Sequence, residues 1–166
     1  MTTNLIAIFG AALIPLLVGA VWYSPKVFGN TWMRVAGKTQ EELEGGNMGL
    51  IFVLTYILAV LLALGLSGMT NHQSGVLQLF AMHPDFAIEG SEIKNLFDSI
   101  MTQFGDTHRT FGHGALHGGI AAVIIGLPLI AINALFERRG AKYIGIHFGY
   151  WLLTLVLMGG VVCQFQ

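Results

Sequence analysis

The sequence predicts an all-α integral membrane protein, a bundle of four transmembrane helices. Three observations carry that prediction. Charged residues make up only 10% of the chain, where a soluble domain carries about 25%, so there is too little charge to clothe a water-facing surface. Four runs are almost wholly apolar over roughly 20 residues, the length a helix rising ~1.5 Å per residue needs to cross a ~30 Å hydrocarbon core. The runs show no strand alternation, and in lipid each segment must satisfy its own backbone polar groups, which a helix does.

The first span, Leu5–Tyr23, holds no charge. No Lys or Arg precedes it, so the charged region of a cleaved signal is missing and a retained helix is expected. Ser24 followed by Pro25 then reads as an N-cap with proline in the first helical position. It would open a short interfacial helix in loop 1, with Phe28 and Trp32 on one face and Lys26 and Arg34 in water. Trp22 and Tyr23 fit the aromatic belt. The second span, Met48–Leu66, is also uncharged. Loop 2, residues 67–113, contains Ile93, Leu96, Phe97, Ile100, Met101 and Phe104, an apolar stripe of helical period. Ser91 would cap that helix and Gly105 end it, and it is expected to cover the outer end of the bundle. The third span, Gly114–Phe136, carries His117 and Asn133 as its strongly polar residues, and the fourth, Tyr143–Cys163, carries His147.

Loop charge sets the expected orientation. Loop 1 holds Lys26, Arg34 and Lys38, and loop 3 holds Arg138, Arg139 and Lys142, so six of the eight basic residues share one side. The positive-inside rule places that side in the cytoplasm of a bacterial inner membrane, with both termini and loop 2 outside.

The halves suggest a weak duplication. Residues 12–17, Ala-Leu-Ile-Pro-Leu-Leu, match 125–130, Ile-Gly-Leu-Pro-Leu-Ile, which sets Pro15 opposite Pro128. Each half enters from the same side, so two parallel pseudo-repeat hairpins are expected. Small residues favour close approach in lipid. At 100° per residue the third span offers Ala115, Gly119, Ala122 and Gly126, and the fourth offers Gly145, Gly149, Gly160 and Cys163. These two helices are expected to touch.

Candidate functional residues are few. Tyr23, Ser24, Asn133, Glu137, Arg138 and His147 converge on one depth at the cytoplasmic boundary. There they form either a binding site for a polar group or a network that pins helix ends. His147, Tyr150 and Thr154 make a polar stripe on the fourth span. His113 and His117, four apart, are half a metal site, which Asp106, His108 or His72 could complete. Hydrogen bonding to loop 2 is the favoured account of them, and His117 and His147 lie at opposite boundaries, so they cannot share one haem. The chain has no GxSxG, P-loop, dinucleotide fingerprint or HExxH, which points away from an enzyme and toward no cofactor. One cysteine excludes an intrachain disulfide, and a net charge of −1 gives no case for nucleic acid.

The run Trp22-Tyr23-Ser24-Pro25, then Phe28-Gly29 and Trp32-Met33, resembles the opening of the domain-of-unknown-function 1761 family. Leu116-His117-Gly118-Gly119, Asn133-Ala-Leu-Phe-Glu-Arg-Arg139 and Gly149-Tyr150-Trp151 continue the likeness through the later spans. The resemblance implies a multi-span membrane protein and brings no activity. The function expected first is a structural or interaction module, forming a homo-oligomer among membrane lipids and other membrane proteins. A small oligomeric transporter or channel is the alternative, and an outer-face histidine metal or haem protein ranks third.

Overall fold

The computed structural model describes residues 4–165, and within them the chain is helical with no strand. Four helices are long and apolar enough to cross a membrane: Leu5–Trp22, Met48–Thr70, Phe111–Phe136 and Ala141–Gln164. The Asn4 side-chain amide donates to the Phe165 carbonyl at 2.7 Å. Both ends of the described chain therefore lie together, at the one end of the bundle to which an even number of antiparallel spans brings them.

The first span is two helices, α1 (Leu5–Ala11) and α2 (Ile14–Trp22), broken at Ala12–Leu13. Pro15 causes the break, because it has no N–H to give the preceding turn. Leu13 N–H bonds to Gly10 instead of reaching Phe9. The Phe9 carbonyl, left over in an apolar setting, accepts from the Tyr56 hydroxyl at 3.1 Å. On the far side of the break the Tyr150 hydroxyl donates to the Pro15 carbonyl at 3.0 Å. A kink in lipid survives because neighbouring spans supply such partners.

Loop 1 contains α3 (Gly29–Ala36) and α4 (Gln40–Glu44). The expected start of α3 at Ser24-Pro25 is corrected. Residues 23–28 form a turn in which the Ser24 carbonyl accepts from Val27 and Gly29, and the helix begins only at Gly29. A Cβ at position 29 would fall on the Tyr23 and Ser24 carbonyls, so this turn needs glycine. At the other end Gly37, in the left-handed region at φ 66°, closes α3.

The second span, α5 (Met48–Thr70), runs four residues beyond Leu66. Ser67 and Thr70 stop the apolar run, yet both are buried, so packing carries the helix on. Loop 2 then folds as α6 (His72–Phe80), a 3₁₀ turn at Pro84–Ala87, and α7 (Glu92–Phe104). The Ser91 side chain accepts from Lys94 N–H, and Gly105 follows the last helical residue. Phe80, Phe86 and Phe97 meet with ring centroids 5.0–6.4 Å apart. The buried Gln73 amide donates to the Phe104 and Thr107 carbonyls. Loop 2 is thus a small cap with a centre of its own. α7 packs chiefly on α6 and the 3₁₀ turn, not across the bundle end as expected.

The third span is α8 (Phe111–Ala121), a π-helical turn at Ala122–Gly126, and α9 (Leu127–Phe136). The π turn ends two residues before Pro128, so both matched prolines sit near a departure from α-helix. The fourth span, α10 (Ala141–Gln164), is the hub. Half of it is buried, against 17% for the second and third spans. The core it shares is built from Ile8, Ala11, Ala63, Leu66, Ala121, Ala122, Leu155, Met158 and Val162.

Spans three and four do touch, but the expected faces are corrected. A Cβ on Gly118 would lie 2.7 Å from the Leu155 carbonyl carbon and 3.2 Å from Val156 Cα. A Cβ on Gly114 would strike the Gly159 backbone and Cys163. The seam is therefore Gly114, Gly118 and Ala121 against Leu155, Gly159 and Cys163, one residue round from Ala115 and Gly119. Gly126 and Gly145 have nothing near them, Gly149 faces the Trp22 ring, and Gly160 faces Phe111.

Candidate functional site

At the end of the bundle carrying loops 1 and 3, the structure joins two of the six residues predicted to converge. The Tyr23 hydroxyl lies 3.0 Å from His147 Nδ1. Trp32, from α3, donates its indole N–H to His147 Nε2 at 3.2 Å. An indole nitrogen is a donor only, so Nε2 must be an acceptor. The imidazole is then neutral, with its proton on Nδ1 directed at the Tyr23 oxygen. Both ring nitrogens are committed. The Tyr23 ring also meets Trp32 edge-on at 5.5 Å and Tyr150 at 5.3 Å, while Tyr143 covers His147 at 4.3 Å.

The same elements are tied twice more through backbone carbonyls. The Trp22 indole donates to Ile146 at 3.1 Å, and Arg139 donates to Ala36 at 3.0 Å while lying over the Tyr143 ring. Trp32, Tyr143 and Arg139 were outside the predicted set. The signal for Trp32 was present, because its helix was predicted, but nothing in the sequence aims that helix at position 147.

The other predicted residues stand apart from this network. Ser24 serves through its carbonyl in the turn before α3. Glu137 is exposed and pairs with Arg139 at 3.5 Å. Arg138 is exposed in the left-handed region at φ 56°, closing the third span. A count of 100° per residue from Ala122 sets Asn133 on the small-residue face named for the third span, whereas it is exposed on the outward face among Leu129, Ile132 and Phe136. The π turn explains the correction. Its i→i+5 bonds lengthen one turn, so a 100° count carried across it from Ala122 arrives on the wrong side. Of the polar stripe on the fourth span, Tyr150 and Thr154 do face the interior.

The imidazoles that could hold a metal gather at the opposite end. His113 Nε2 lies 3.0 Å from His72 Nε2. The His117 ring is 4.5 Å from that of His113 and 5.2 Å from that of His72. His108, in the left-handed region at φ 63°, stacks on His113 at 4.9 Å. Asp106, a candidate partner by sequence, is fully solvent-exposed and faces Arg109 at 3.9 Å. Cys163 is buried, with its thiol toward the Thr70 and His108 carbonyls.

The family described as a protein of unknown function (DUF1761) matches residues 6–163. No curated protein and no solved structure matches the chain.

Proposed function

The chain belongs to the DUF1761 family, and we propose that it is a structural or interaction module, a membrane helix bundle that self-associates through its third span. One observation carries this reading. The Asn133 amide is exposed on an otherwise apolar face and has no side-chain hydrogen bond among the described residues. An amide set among apolar side chains near the membrane boundary, with no protein partner, costs free energy where water does not reach it, and a second copy of the same helix offers the simplest partner.

Two further features support a module over a carrier. The Tyr23–His147–Trp32 network commits both imidazole nitrogens within the protein, which suits a brace for loop 1. The core cluster shared by the spans is apolar among the described residues, from Ile8 and Ala11 through Leu66 to Leu155, Met158 and Val162. The alternative, an oligomeric transporter or channel, would place Asn133 around a shared axis. The basic loops support an orientation with both termini and loop 2 outside, in a bacterial inner membrane.

Energy transfer between donor- and acceptor-labelled copies in lipid vesicles tests association. Wild-type protein should associate at high dilution in lipid. Asn133→Leu should fold normally and weaken association roughly 3- to 30-fold, the worth of one interhelical polar contact. A monomeric wild type, or an Asn133→Leu variant that associates equally, would refute the proposal.

A further inference from the structure

We propose that His72, His113 and His117 form a binding site for a divalent transition-metal ion of the zinc, copper(II), nickel or cobalt class, at the loop 2 end of the bundle. The chain has six histidines, and four of them share one knot of ring contacts: 72, 108, 113 and 117. They come from three separate stretches of sequence. Helical spacing alone accounts for His113 and His117, whereas His72 arrives from the start of α6.

The ligating atoms of His72, His113 and His117 all lie within 4.8 Å of one another. Nitrogens held ~2.0–2.1 Å from a tetrahedral ion stand roughly 3.3 Å apart. The 3.0 Å between His72 and His113 is close to that spacing, and a small movement of His117 completes it. A hydrogen bond between two histidines would explain one of these contacts. It leaves His117 unexplained, since that ring is only partly exposed and has no side-chain hydrogen bond among the described residues.

The platform is rigid where a site needs it to be. Thr110 caps the third span by accepting from His113 N–H at 3.2 Å. Gly114 and Gly118, each next in sequence to a ligand, lock the helix against the Gly159 and Leu155 backbones. That contact sets the rotation of α8, and with it the direction of His113 and His117.

Donor chemistry selects the ion. Three neutral imidazoles suit zinc, copper(II), nickel or cobalt, whereas calcium and magnesium require oxygen ligands. Three protein ligands leave a fourth position for water. His72 is exposed and also lines a cavity of about 240 Å³ between α6 and α7, so the site lies at the surface of the cap. The bound ion would tie the loop 2 cap to the third span.

Full-length protein, free of any affinity tag and stripped with chelator, is titrated with Co²⁺ and Zn²⁺ in detergent. Saturable binding of one ion per chain is expected, with visible cobalt bands of a nitrogen-rich, low-coordinate site. His72→Gln and His117→Gln keep a hydrogen-bonding side chain but lose the ligand, so each should weaken binding at least about tenfold. Apo thermal midpoints should stay near wild type, and His83→Gln, outside the cluster, should bind normally. The exposed His72 position carries the test should His117→Gln fail to fold. Absence of saturable binding, or binding unchanged by His72→Gln, would overturn the proposal.

Discussion

Replacing Gly118 by alanine tests the seam on which the bundle is built. The added carbon would meet the Leu155 carbonyl carbon at 2.7 Å and Val156 Cα at 3.2 Å. Carbon atoms in contact sit ~3.5–4.0 Å apart, so the two backbones must separate by about 1 Å. Neither neighbour is a side chain that can swing away. A gap of that size forfeits between a quarter and a half of the dispersion energy of each contact it opens, and the core beside the seam includes the fully buried Met158 and Val162. Overpacking of this kind costs about 1–3 kcal/mol. Against it stands the better helix propensity of alanine, worth up to ~1 kcal/mol. The net expectation is destabilisation by about 1–2 kcal/mol, read as an earlier midpoint of unfolding in mixed micelles. Gly65→Ala is the matched control. It lies inside the second span, its new carbon has nothing within 4 Å, and it should be neutral or slightly stabilising. Gly159→Ala presses on the same seam from the other side, 3.1 Å from Gly118 Cα, so the double variant should cost less than the two singles added. A Gly118→Ala protein as stable as Gly65→Ala would refute the close approach.

Trp32→Phe keeps the ring but removes the N–H that His147 accepts. It should cost about 0.5–1.5 kcal/mol and raise hydrogen exchange in residues 29–36, and unchanged exchange there would detach α3 from the fourth span. A phosphatase fused after the fourth span should be active, on the outer side of the membrane, as the split of basic residues predicts; a C-terminal fusion that fluoresces in the cytoplasm would reverse the orientation.

The features legible in the sequence were those decided by local chemistry. Length and hydropathy located four spans, because a helix in lipid must carry its own apolar surface. The loop 2 helix was legible between Ser91 and Gly105 because a hydroxyl N-cap, an apolar period and a terminal glycine agree. Features that depend on a distant partner were not legible. Glycine or alanine occurs on several sides of the third span, at 112, 114, 115, 118 and 119, so composition does not say which side packs. The backbone at Gly159 decides it. Asn133 was misplaced because a π turn changes the angular count within an unbroken apolar run. His113 and His117 declared themselves by spacing, whereas His72 lies 41 positions before His113 and needed the fold to bring it near. The Tyr23–His147 pair was within reach because both residues sit at span ends of equal depth. Trp32 joined them through a helix whose direction no local pattern encodes.

The hub position of the fourth span orders the events of synthesis. It is the last of the four to emerge from the ribosome, yet the glycine seam, the Tyr150 strut on the kinked first span and the His147 brace on loop 1 all depend on it. Until residues 141–164 are made, the earlier spans can share only what they hold among themselves, such as the bond from Tyr56 to the Phe9 carbonyl. Gly114 and Gly118 meanwhile present bare backbone to lipid or to other helices nearby. The nascent protein is therefore a loose set of three helices awaiting a template, and its compaction belongs to the interval after the final span has entered the membrane.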